Sequence, residues 1–135
     1  LHEKIEESKY SFSNKIRFLK PQNLSNYLQL QIKAKTVLSD SGTINEESSI
    51  LNFPALNIRD AHERPEAMEE TSVIMTGINS ERIMQSLEIL SSQERDKNRD
   101  LKLVSDYDVK NFSEKILRII ISYTDYTKKN IWKEY

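Results

Sequence analysis

The apolar positions of this chain switch between a period of two and a period near 3.6, which predicts alternating strands and helices. Lys15–Lys20 places Ile16 and Phe18 on one face, a strand that Pro21 stops. Asn23–Ala34 carries Leu24, Tyr27, Leu28 and Ile32 at helical spacing, with Asn23 or Ser25 as its cap. Thr36–Ser39 reads as a second short strand, apolar at its centre as strands covered on both faces are. The turn Asp40–Thr43 leads into a helix over 44–51. Pro54 opens a third strand, Ala55–Ile58, and Pro65 suits the first position of a short helix near 65–70. Ser72–Thr76 is a fourth strand, ended by Gly77. Asn79 or Ser80 then caps a helix to about Gln93, with Ile83, Met84, Leu87 and Leu90 as its buried stripe.

The two ends follow the same logic. Residues 1–14 are polar and offer only Leu1 and Ile5 as an apolar pair, a short surface helix at best. Residues 91–102 form a charged loop without core positions. Asp108 caps a helix whose stripe is Val109, Phe112, Ile116, Ile119 and Ile120, and Ser122–Tyr135 continues helical. Its aromatics (Tyr123, Tyr126, Trp132 and Tyr135) suit packing against a neighbouring domain. Short strands alternating with helices imply an α/β fold with a parallel sheet, and such sheets bind ligands at the carboxyl ends of their strands. That rule selects three loops: Lys20–Asn23, Asp40–Asn45 and Arg59–Glu66.

Composition narrows the function classes. At 135 residues the chain has the size of one domain. Twenty basic against 21 acidic residues give a net charge of −1, which lacks the basic excess of a nucleic-acid binder. Apolar runs are too short to span a membrane. Without cysteine, disulfides and thiolate chemistry are excluded. No secretory leader is visible, which fits a cytoplasmic setting. The chain opens on Leu1 rather than Met, as a trimmed chain or a piece of a longer one would.

Within the selected loops, Asp40-Ser41-Gly42-Thr43 passes from a strand straight into a helix. Amides and hydroxyls at a helix N-terminus suit phosphate, and Glu46 and Glu47, one turn in, suit the paired hydroxyls of a ribose. The same residues also read as an ordinary turn, with Gly42 at positive φ and acids facing the helix dipole. Arg59–Glu66 crowds Arg59, Arg64, His62 and three acids into eight residues. Arg64 suits a diphosphate clamp and His62 suits proton exchange; equally, the loop reads as solvated and self-paired. A metal site would need more than one histidine and scattered carboxylates, so none is expected. Gln22 and Tyr27, an amide and an aromatic near a strand end, suit uracil, although Tyr27 also fits as helix core. The chain has neither a Ser-His-Asp order nor the GxGxxG or GxxxxGK[ST] motif.

From Leu38 to Gly77, the SDSGTxxEES start, the central NIRDAHERPE and the closing VIMTG resemble the C-terminal domain of non-hydrolysing UDP-N-acetylglucosamine 2-epimerases. The flanking IRFLKPxxxxxYxxLQ and SDYDVxNxSEKxxRIIxSYTDYxxxxxWKxY extend the likeness over essentially the whole chain. Those flanks, with Ala61-His62 in place of two threonines, resemble most the branch that forms UDP-N-acetyl-L-fucosamine for capsule and O-antigen.

The resemblance implies a partial C-terminal half of a GT-B fold, UDP-glycosyltransferase/glycogen phosphorylase-like, with a Rossmann-like parallel sheet of about four strands. It implies an incomplete UDP-binding domain over 1–121 and a helix over 122–135 that packs on an absent N-terminal domain. It implies epimerisation at C2 of a UDP-linked N-acetylhexosamine by elimination and re-addition of UDP, with no added cofactor and a homodimer as the full-length protein. Residue by residue, Ser41, Gly42 and Thr43 match the diphosphate turn. Glu47, with Glu46 beside it, matches the ribose glutamate, Arg64 the arginine of ERPE, and Gln22 and Tyr27 the uracil contacts. Thr43 stands where the family has a second glycine, which removes a free choice of φ there. No catalytic residue carries over: the family's proton-transfer acids and its His-Arg-x-x-Asn histidine lie upstream, and His2 and His62 match neither. Two other readings stand beside this one: a non-catalytic UDP-sugar-binding or scaffolding module, and half of a GT-B glycosyltransferase.

Overall fold

The computed structural model describes residues 11–61, 64–95 and 98–134. The helix expected over 1–14 falls largely outside them, as do His2, His62, Glu63 and Tyr135. Helix α1 (Leu24–Lys33) is followed by β1 (Val37–Ser39), α2 (Ile44–Leu51), β2 (Ala55–Asn57), α3 (Pro65–Glu69), β3 (Ile74–Met75) and α4 (Ser80–Leu90). A single 3₁₀ turn (Ser105–Tyr107) precedes α5 (Phe112–Thr127), which widens into a π-type turn at Lys128–Trp132.

The strands form one parallel sheet in the order β1-β2-β3, with Leu38 opposite Leu56 and Asn57 opposite Met75. Parallel neighbours need crossovers, and α2 and α3 supply them. All three residues of β2 are buried, while Leu38 on the edge strand β1 is half-exposed. The core joins Ile44, Phe53, Ala55 and Val73, flanked by Ile32, Val37 and Leu51. The Ser48 hydroxyl fixes α2 above it, reaching the carbonyls of Phe53 (2.6 Å) and Ser72 (3.2 Å).

Several expectations are corrected, among them the buried stripe of α4, where Met84 is exposed and Ser86 and Leu90 are the buried residues. Residues 15–20 form no strand, so the sheet has three strands among the described residues rather than four. Alternation supplies a face but not a partner: Ile16, Phe18 and Leu19 stay about half-exposed, and Phe18 packs edge-to-face on Phe12 at 5.3 Å. Asp108 ends the 3₁₀ turn, and the cap of α5 is Asn111, in the left-handed region at φ 59°. From Phe112 on, the expected apolar stripe forms as a helix but buries nothing, and Val109 lies before it; Ile119, Ile120 and Tyr123 are more than half exposed. The helix runs unbroken across residue 121.

The charged loop also does more than its composition suggests. Arg95 donates to the carbonyls of Ala34 (2.8 Å) and Lys35, just past α1, and Arg99 to those of Ser49 and Ile50 (both 2.7 Å) in the last turn of α2. The final carbonyls of a helix lack intrahelical partners, and a cation there also complements the dipole. Val104, after this loop, is buried, with its amide on the Ser49 hydroxyl at 3.1 Å.

Candidate functional site

The loops after β1, β2 and β3 share the carboxyl edge of the sheet. Gly77 has φ 58°, and a Cβ there would lie 2.2 Å from the Asp60 carboxylate. The loop after β2 therefore lies close against the turn after β3, and the left-handed φ there favours glycine.

Between β1 and α2, the Ser41 amide donates to the Ser39 hydroxyl at 3.1 Å and the Thr43 amide to the Ser41 hydroxyl at 3.3 Å. The Ile44 amide reaches the Ser41 carbonyl at 3.5 Å. The last two are long contacts, which an anion's oxygens can replace with shorter ones. Gly42 does not take positive φ, so that part of the ordinary-turn reading does not apply. Thr43 sits at φ −81° and ψ −6°, inside the normal helical range. The threonine therefore costs no backbone strain where the resemblance has glycine.

Glu47, one turn into α2, accepts from the Thr43 hydroxyl on Oε1 (2.8 Å) and from Gln31 Nε2 on Oε2 (2.5 Å). Tyr27, four residues before Gln31 on α1, has its phenol pKa raised first by burial and then by the charge of Glu47. Glu46 points to the loop after β2. Its Oε1 accepts from Arg64 Nε at 2.7 Å, while its Oε2 is buried without a partner. That hydrogen bond raises the Arg64 pKa above its ordinary value. Behind them, the Tyr107 hydroxyl donates to Glu66 Oε1 at 3.2 Å. Burial, followed by the charges of Glu46 and Glu66, pushes the Tyr107 phenol well above the usual tyrosine range.

Ser41, Thr43 and Glu47 are thus joined directly, Tyr27 lies within electrostatic reach of Glu47, and Glu46 holds Arg64 against the same helix. Gln22 stands apart: its amide turns back to the Lys20 carbonyl at 2.7 Å, beside a shallow hollow with Leu19, Asn26 and Lys33. The sequence reading missed Gln31 and Tyr107. The first had a signal, the i, i+4 spacing from Tyr27; the second, 41 residues from Glu66, had none. An apolar hollow lined by Leu38, Met84 and Leu87 opens between β1 and α4, away from this turn. No group of three or more metal-ligating side chains converges among the described residues, and none of their helices is long and apolar enough to cross a membrane.

A family model described as UDP-N-acetylglucosamine 2-epimerase matches residues 1–121. The UDP-N-acetylglucosamine 2-epimerase of Methanocaldococcus jannaschii is 34% identical over 87 residues, 64% of this chain and 24% of that protein. Its counterpart in Bacillus subtilis is 25% identical over 117 residues, 87% of this chain and 31% of that protein. The chain thus spans about a quarter to a third of the relatives it matches. Among solved structures, the Rickettsia bellii UDP-N-acetylglucosamine 2-epimerase superposes with a TM-score of 0.81 at 48% identity, covering 90% of this chain and 33% of that one. The Methanocaldococcus jannaschii enzyme in complex with UDP-GlcNAc and UDP gives 0.70 at 30% identity, covering 90% and 30%. With these neighbours, the fold is the Rossmann-like α/β arrangement of a GT-B half.

Proposed function

We propose, since this chain belongs to the UDP-N-acetylglucosamine 2-epimerase family, that it supplies the UDP-holding part of a UDP-sugar 2-epimerase as that enzyme's C-terminal portion. One observation carries the reading. At the carboxyl edge of the sheet, a Ser-Gly-Thr turn opens helix α2, and that helix presents Glu47 on one side and an Arg64–Glu46 pair on the other. Anion, diol and charge clamp occur there in the order that diphosphate and ribose require.

In this reading Ser41, Gly42 and Thr43 receive the diphosphate. Glu47, beside Glu46, accepts the ribose hydroxyls, Arg64 exchanges Glu46 for a diphosphate oxygen, and Tyr27 and Gln22 flank the uracil. The reaction removes the proton from C2 of the sugar while the C1–O bond breaks to UDP, leaving a C1–C2 double bond. UDP then re-adds at C1 as a proton returns to the other face of C2. Holding UDP between the halves of that cycle is the role of these residues. The groups that move the proton belong to the rest of the enzyme, on which residues 122–135 pack. The flanking motifs favour the branch acting on a UDP-linked 6-deoxy-L-hexosamine, in a cytoplasmic homodimer.

The test is calorimetry of the 135-residue chain with UDP. Arg64→Ala is expected to weaken binding roughly tenfold or more, as loss of a charge-assisted contact does. Unchanged affinity would remove Arg64 from the site. In parallel, NMR of the chain with its UDP-sugar is expected to show no change at C2; turnover would overturn the assignment of the proton-moving groups elsewhere.

A further inference from the structure

We propose that Gln31 is a positioning residue that sets recognition of the nucleotide's ribose by holding Glu47. The inference rests on the reading of Glu47 as the ribose acceptor. On helix α1, Leu24 and Leu30 face solvent and Leu28 and Ile32 are partly buried, but the one fully buried side chain is an amide, Gln31, at 3% exposure. Burying an amide without partners is costly, so the position calls for an explanation beyond packing. Its Nε2 donates to Glu47 Oε2 at 2.5 Å, while its Oε1 is buried without a partner. A carboxylate accepts only, so the nitrogen and not the oxygen must face Glu47.

Thr43 completes the hold from the other side, donating its hydroxyl to Glu47 Oε1 at 2.8 Å. Each carboxylate oxygen thus has one protein donor and one lone pair left, and the two remaining lone pairs suit two adjacent hydroxyls. A hydroxyl carries one proton, so with Thr43 donating to Glu47, Ser41 must be the donor in the 2.9 Å Ser41–Thr43 contact. The chain Gln31–Glu47–Thr43–Ser41 therefore links the diol acceptor to the anion turn with a fixed direction of donors. The threonine that stands in place of a family glycine is half of this clamp.

The experiment compares UDP with 2′-deoxy-UDP by calorimetry on the whole chain. The unaltered chain is expected to prefer UDP. Gln31→Met, similar in volume but without a donor, is expected to reduce that preference about fivefold to tenfold while leaving 2′-deoxy-UDP affinity little changed. A purely structural role would weaken both nucleotides alike. Gln31→Glu keeps the shape but donates only while protonated, so its preference for UDP is expected to fall as pH rises through the carboxylic range. A preference that Gln31→Met leaves intact, or equal weakening of both nucleotides, overturns the role of Gln31. Should Gln31→Met not fold, a pH-independent preference in Gln31→Glu does the same. If the unaltered chain binds UDP without preferring it, the reading of Glu47 falls first and this inference with it.

Discussion

Helices α2 and α5 meet opposite fates. Helix α2 is half polar, yet it buries Asn45, Ser48 and Ser49 along with Ile44. Helix α5 is rich in isoleucine and aromatic residues, yet every residue of its apolar face is exposed. Hydrophobicity does not decide burial here. Helix α2 lies over Phe53, Ala55 and Val73; Ser48 finds carbonyl partners at 2.6 and 3.2 Å, and the Ser49 hydroxyl accepts from the Val104 amide at 3.1 Å. Helix α5 has the pattern of a packed helix and nothing among the described residues to pack on.

The largest expected effect sharpens that contrast directly. Phe53→Ala in the core is expected to cost about 3–5 kcal/mol in chemical denaturation, whereas Ile120→Ala on α5 stays within about 0.5 kcal/mol. Equal costs would show that α5 is packed in solution and would break the comparison. Next comes Gly77→Ala, which forces a side chain into the left-handed region and onto Asp60; about 1–3 kcal/mol is expected in the same measurement. The smallest effect is a titration. The phenols of Tyr27 and Tyr107 ionise above the usual tyrosine value of about 10. Their neutral forms favour the folded chain, so this contribution is complete below about pH 10 and is lost as pH rises through the folded values. Phenolate absorbance of Tyr107→Phe is expected to lack the last-titrating group.

Much of the site region was legible. The strands at 37–39, 55–57 and 74–75 and the helices at 24–33, 44–51, 65–69 and 80–90 lie where periodicity and caps place them, with Asn23 and Asn79 each accepting an amide at 2.9 Å. The failures share a cause: period identifies a face, whereas partners are a tertiary matter. Ile16 and Phe18 alternate without a strand to pair with, and the stripe of α5 repeats without a core. Arg95, Arg99 and Tyr107 act across 41 to 61 residues of sequence, where no local pattern reports them. Gln31 was passed over because polar residues on a helix are expected to face water.

The two arginine forks carry a consequence for anyone recombining this chain. Residues 91–102 resemble the surface segment where a tag, a splice point or a circular permutation is best tolerated. Yet Arg95 and Arg99 fasten the ends of α1 and α2 through their carbonyls, and α2 is the helix that carries Glu46 and Glu47. A graft at those arginines would fray the helix that presents the site. The exposed stretch 109–111, past the buried Val104, is the safer seam.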